Sequence, residues 1–143
     1  MRIKVSENLY VADMEGCNRI GNEAIIHACK NPCYVCASDE GKFCNILEGE
    51  DDLYLNMIDP SIPLFKENLF SVSMKFIMDN IEKREVVIHC NKGRSRSASI
   101  AMLYLFGKED YRDAQDLMKQ VYPYYEPSLG IDLYLEKNWK RFL

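Results

Sequence analysis

One segment, His89-Cys90-Asn91-Lys92-Gly93-Arg94-Ser95-Arg96-Ser97, concentrates the residue types that bind an anion and attack it. It follows a β-like run and leads into an apolar helical run, so it reads as strand, polar loop and helix start. A loop entering a helix N-terminus aims backbone N–H groups at one point, and with the helix dipole these favour a bound dianion. Gly93 permits the backbone angles such a cradle requires. Arg96, at the helix start, suits a bidentate grip on two phosphate oxygens. The same field favours the thiolate of Cys90, the form that acts as a nucleophile. Ser97 places a hydroxyl where it can hydrogen-bond the sulfur or help discharge it. Asn91, Lys92, Gly93, Arg94 and Ser95 complete the anion loop with Arg96. The plain alternative is a buried apolar cysteine in an ordinary basic turn.

The elements around this loop must hold it in place. Short β-like runs open the chain at residues 3–5 and 9–11. Residues 22–29 read as a short helix stopped by Asn31-Pro32. Residues 34–37 and 53–58 are β-prone, with a charged loop of poor periodicity over 38–52 between them. After Pro63, Phe65, Leu69, Val72, Phe76, Ile77 and Ile81 recur at spacings of three and four and line one helix face. Glu85-Val86-Val87-Ile88-His89 suits a strand covered on both faces of a sheet. Helices are expected over residues 97–106, 111–121 and 129–142. Strands alternating with helices predict an α/β fold, a single-domain sandwich over residues 1–143 with a central, mostly parallel sheet flanked by helices. In such sheets ligands bind beyond the C-terminal strand ends, which is where His89 and Cys90 fall.

Composition narrows the function classes. The 143 residues suffice for one domain with a real core. Eighteen Lys and Arg stand against 22 Asp and Glu, a net charge of -4, so no general affinity for DNA or a membrane surface is expected. Any anion site must be local. The longest apolar run, residues 100–106, is too short to span a bilayer. The N-terminal segment has no apolar leader, so a cytoplasmic location is expected.

The loop resembles the signature of protein tyrosine phosphatases, in which five residues separate the nucleophilic Cys from an Arg. Gly93 with Ser95-Arg96-Ser97 looks most like the dual-specificity branch. The motif is specific, because four residue types must fall at fixed offsets in a strand–loop–helix context. Leu9-Tyr10-Val11 is similar to the opening strand of that branch, and the resemblance extends over the whole chain, with motif support from Asp59 to Ser97. It implies a general acid about thirty residues before the nucleophile, a position that Asp59 fills within Asp59-Pro60-Ser61. Asp51 and Asp52 are the fallback candidates, and capping a turn is the plain alternative for Asp59. The implied mechanism needs no metal or other cofactor and passes through a phosphocysteine. His89 is expected to orient the loop and tune Cys90. At Glu126-Pro127-Ser128-Leu129-Gly130 the chain departs from the Pro-Asn-x-Gly-Phe common in the family, which removes any contact from that Asn.

Cys29, Cys33, Cys36 and Cys44 lie close together, but only Cys33-x2-Cys36 is tightly spaced. The usual zinc pattern of two tight pairs is not met, so no metal is expected. Val35-Cys36-Ala37, followed by Lys42-Phe43, resembles the corresponding stretch of the phosphoinositide 3-phosphatase related to tensin. That resemblance implies a redox role for Cys36 as a reversible disulfide partner of Cys90, placed on a neighbouring strand. The plain alternative is a small core residue. Lys92 and Arg94 make the loop more basic than in many protein phosphatases. A phosphorylated protein is the expected substrate, and a phosphoinositide or an RNA 5′ end is the alternative. Two further readings stand beside these. A non-catalytic phosphate-binding module of the same fold typically lacks the nucleophile, which is present here. A sulfurtransferase of the rhodanese type uses a four-residue spacer, and position 95 is Ser.

Overall fold

The computed structural model describes residues 1–38 and 45–142. Six strands form one sheet: β1 (Arg2–Ser6), β2 (Leu9–Ala12), β3 (Ala24–His27), β4 (Ile46–Glu48), β5 (Asp52–Leu55) and β6 (Val86–His89). Their order is β1-β2-β6-β3-β5-β4. The inner four, β2, β6, β3 and β5, run parallel, and each edge strand is antiparallel to its neighbour. This is the mostly parallel sheet that the alternation of elements predicts.

The helices are α1 (Val35–Ala37), α2 (Glu67–Asn80), α3 (Arg96–Phe106), α4 (Tyr111–Val121) and α5 (Leu129–Asn138), followed by a 3-10 turn, Trp139–Phe142. Val86 and Ile88 of β6 join Phe70 and Ile77 of α2, Ile100 and Leu103 of α3 and Ile131 and Leu135 of α5 in one buried cluster. The alternate residues face the other way. Val87, Ile25 and Ala12 form a second, smaller cluster, and a 3-10 turn, Met14–Cys17, packs on that face. A side chain at Gly16 would meet the Ala12 and His89 Cβ atoms at 2.6 and 2.8 Å.

Three sequence expectations need correction. Residues 22–29 hold β3, not a helix. All four residues of β3 are buried, and a short apolar run of this kind carries no periodicity to separate a central strand from a buried helix. Residues 34–37 are not extended. The chain coils through an irregular turn, Lys30–Tyr34, into α1, where Val35 and Cys36 are exposed rather than paired in the sheet. Within the stretch expected as a charged loop, Ile46–Glu48 forms the edge strand β4. Cys44 and Lys42-Phe43 lie outside the described residues.

The entrance to β3 is tied to β1 by an acid. Glu23 is buried, and its carboxylate accepts from Arg2 Nη1 at 2.6 Å and from the amides of Ile20 and Gly21 at 3.0 and 2.6 Å. Burial pushes this carboxyl up, but the Arg2 and amide hydrogen bonds outweigh it and hold the group at about 2. A depressed carboxyl adds stability above its ordinary value of 4.5, and that contribution disappears as pH falls toward about 2. Urea midpoints measured across this window are therefore expected to fall more steeply for the wild type than for Glu23→Gln. Parallel curves would remove Glu23 from the acid response.

Candidate active site

The parallel strands end together. Ala12 and His27 both lie opposite His89, and His27 lies opposite Tyr54. The loops that follow these strands therefore gather at one edge of the sheet, and they frame a cleft of about 890 Å³ lined by Asp13, Asp59, Cys90 and Arg96 among others.

Cys90 is the first residue after β6 and is 2% exposed. Its Sγ lies 3.1 Å from the Ser97 Oγ in the first turn of α3. No side chain caps that helix. Its first-turn amides are free of the usual capping competitor and stand where an anion would meet them. Gly93 has φ of +70°, and a Cβ there would press on the Ala12 carbonyl at 3.0 Å. Only glycine takes both the angle and the approach without strain. The loop is braced from outside through its carbonyls: Tyr122 Oη donates to the Gly93 oxygen, and the Glu126 amide donates to the Arg94 oxygen at 2.9 Å.

Arg96 is buried, and its guanidinium is fixed at two corners. Nη1 donates to the Met57 carbonyl at 2.8 Å and Nη2 to Asn91 Oδ1 at 2.7 Å. Nε is buried without a partner among the described residues. An oxyanion would satisfy it. Asn91 is itself placed by its Nδ2 donating to the Asn31 carbonyl at 3.1 Å and by the Cys29 thiol donating to its Oδ1 at 3.3 Å.

Asp59 reaches the same cleft from the loop after β5. Its Oδ1 accepts from Ser95 Oγ at 3.1 Å and from the Ser128 hydroxyl, while the Ser128 amide donates to Ser95 Oγ at 3.0 Å. A Cβ on Gly130 would collide with the Pro60 and Ile62 carbonyls, so glycine lets the start of α5 lie against the Asp59 loop. Ser128 thus contacts both Ser95 and Asp59, at the place where the expected Asn is missing.

The structure brings Cys90, Arg96, Asp59 and Ser97 together, with Lys92, Arg94 and Ser95 on the same cleft. His89 stands apart. It points to the other face of the sheet, where its Nε2 lies 2.7 Å from His27 Nδ1, and burial together with His27 holds it at about 3. It is neutral near pH 7 and carries no proton to the cleft. Cys36 is exposed on α1 and not on a strand, so the strand position expected for it is not its own. The buried thiol beyond the end of the neighbouring strand β3 is Cys29. Asp51 and Asp52 sit at the start of β5, the opposite end from the cleft, where they pair with Arg84 and Arg19. Asp13 lines the cleft without any motif to announce it, and the bracing of the loop by Tyr122 and Ser128 is visible only in the structure. The contacts of Tyr122 and Ser128 with the loop depend on tertiary placement, which local sequence does not encode.

No protein-family model matches the chain, and no curated protein does. Solved structures do. Human tyrosine phosphatase-like serine/threonine/tyrosine-interacting protein superposes with a TM-score of 0.74 at 16% identity, covering 99% of this chain and 97% of that one. DUSP15 gives 0.71 at 20% identity over 96% and 86%. PTPMT1, solved in complex with PI(5)P, gives 0.68 at 13% identity over 99% and 96%. The fold is that of the dual-specificity phosphatase-like branch of the protein tyrosine phosphatase superfamily.

Proposed function

We propose that the chain is a cysteine-dependent phosphomonoesterase acting on phosphotyrosine and on phosphoserine or phosphothreonine in proteins. One observation carries this reading: Cys90 Sγ, 3.1 Å from the Ser97 hydroxyl at the uncapped start of α3, shares a cleft with Arg96 and Asp59. The Cys90 thiolate attacks phosphorus, an S–P bond forms, and the P–O bond to the leaving group breaks. Arg96 and the loop amides stabilise charge on the equatorial oxygens. Asp59 gives its proton to the leaving oxygen. Water then attacks the phosphocysteine, Asp59 takes a proton from it, the S–P bond breaks, and phosphate leaves with the thiolate restored. Ser97 stabilises the sulfur as it departs.

The basic loop gives little support to a polyphosphorylated substrate. Arg94 is paired with Glu126 at 3.1 Å on the exposed rim, so one of the two extra cations is already neutralised. Among the described residues no helix is long and apolar enough to cross a membrane.

Phosphate release, without added metal, from phosphotyrosine and phosphothreonine peptides, a phosphoinositide and triphosphorylated RNA tests the reading. Peptides are expected to be cleaved fastest. Asp59→Asn is expected to lower kcat/KM on peptides by about 10²- to 10³-fold, and far less on an aryl phosphate whose leaving group needs no proton. Preferred cleavage of the lipid or the RNA would move the substrate class within the same mechanism. Tight phosphopeptide binding with no release from any substrate would make the chain a phosphate-recognition module.

A further inference from the structure

Behind the anion loop, on the sheet face opposite α2 and α3, four metal-ligating side chains converge from four different elements. His27 ends β3 and His89 ends β6, and the two are register partners in parallel strands, so their rings project from the same face. Cys17 ends the 3-10 turn Met14–Cys17, and Cys33 lies in the irregular turn Lys30–Tyr34. One ligand atom from each of the four falls within 4.8 Å of all the others. Three of the residues are buried, and Cys17 is part-exposed at the edge, where it leaves an entry path.

We propose that Cys17, His27, Cys33 and His89 form a tetrahedral binding site for one zinc ion that ties the ends of β3 and β6 to the two turns. A zinc ion with Zn–S near 2.3 Å and Zn–N near 2.0–2.1 Å sets tetrahedral edges of about 3.8 Å between sulfurs and about 3.5 Å between sulfur and nitrogen. Cys17 Sγ and Cys33 Sγ are 3.8 Å apart, and Cys33 Sγ is 3.8 Å from His89 Nε2. The His27 Nδ1 to His89 Nε2 distance, 2.7 Å, must open by about 0.6–0.7 Å to reach the nitrogen–nitrogen edge.

The surroundings fix one of the two imidazoles. His27 Nε2 donates to Asp52 Oδ1 at 2.8 Å, which fixes the ring and leaves Nδ1 as the nitrogen facing the other ligands. This carboxylate–histidine arrangement is the usual support of a metal-bound imidazole. Asp52 is in turn paired with Arg19 at 2.9 Å, so its charge is already met. Two thiolates and two neutral imidazoles around a dication give a neutral cluster, the condition for burying it at low cost. Without a cation, the same groups offer one imidazole–imidazole hydrogen bond and two thiols whose best described partners are each other and His89. The set escapes sequence reading because its ligands come from four segments, and the Cys33-x2-Cys36 pair gives it only Cys33. Cys36, which completes the only such pair, is exposed on α1.

The test is metal content and cobalt spectroscopy on the full chain, expressed with zinc in the medium and purified under reducing conditions without chelator. Mass spectrometric metal analysis is expected to find about one zinc per chain in the wild type and in Cys36→Ser, and less than about a tenth of that in Cys17→Ser and Cys33→Ser. Exchange with Co²⁺ is expected to give intense visible ligand-field bands and a near-ultraviolet thiolate-to-cobalt band in the wild type. The reduced wild type alone is decisive, whatever the folding of the variants. If it carries no zinc and takes up no cobalt, or its cobalt spectrum lacks the thiolate band, the site does not exist. Loss of zinc from Cys36→Ser would show a different ligand set and would equally overturn it.

Discussion

Replacing Cys90 with Ser is expected to reduce phosphate release by about 10⁴-fold or more while leaving the fold and phosphate binding intact. The reason lies in which form of the side chain attacks. The thiolate is the attacking form of a cysteine, whereas a serine hydroxyl stays protonated unless a base takes its proton. Among the described residues the side chain that meets the Cys90 sulfur is the Ser97 hydroxyl, which is no base, and His89 turns to the other face of the sheet. Ser97 therefore cannot rescue Cys90→Ser. The substitution is nearly isosteric in a site that is 2% exposed, so it neither opens a void of consequence nor disturbs the loop. Cys90→Ser is expected to hold phosphopeptide with an affinity close to that of the wild type, because the Arg96 guanidinium and the α3 amides are untouched. Calorimetric titration with phosphopeptide, beside single-turnover assays, separates binding from chemistry. Residual turnover within tenfold of the wild type would remove Cys90 from the role of nucleophile.

What could be read in advance depended on how far apart in sequence the cooperating residues lie. The strand–loop–helix from β6 to α3 is contiguous, and its residue types and spacing speak for themselves. The amphipathic α4 was legible to its ends because its polar and buried positions alternate at helical spacing. The run around β3 was not, since Ala24-Ile25-Ile26-His27 is buried on both faces and a fully apolar run has no period to decode. That error hid more than one strand. With β3 taken as a helix, nothing places His27 opposite His89, and the cluster with Cys17 and Cys33 has no visible cause. Residues 34–37 failed for the opposite reason. Tyr and Val favour strands on average, but the turn that starts at Lys30 sends them into a helix, where tertiary placement overrides a weak local preference. Ser128 is a third case. A missing Asn implied a lost contact, yet a shorter side chain with its own amide reaches Ser95 and Asp59 because Gly130 allows α5 to approach.

Arg96→Lys is expected to lower kcat/KM by about 10³-fold, and by the same factor for good and poor leaving groups. An ammonium keeps the charge but not the planar fork, so it cannot hold two phosphate oxygens in fixed geometry. The fork has a second task here. Nη1 and Nη2 join the Met57 carbonyl, two residues before Asp59, to Asn91 in the anion loop. Lysine leaves at least one of these buried acceptors unmet, which costs about 1–3 kcal/mol of stability. A lower Tm should therefore accompany the kinetic loss. Leaving-group dependence distinguishes the two residues. In the proposed mechanism Asp59 protonates the leaving oxygen in the first step, so its substitution should matter less to kcat/KM as the leaving group improves, whereas Arg96 would act on the equatorial oxygens that every substrate shares. Measuring kcat/KM for Arg96→Lys across a series of aryl phosphates should give a line parallel to the wild type and about three orders of magnitude below it. A line that converges with the wild type at good leaving groups would mean that Arg96 serves mainly to place Asp59, and a loss under tenfold would mean that the phosphate is held by the loop amides alone.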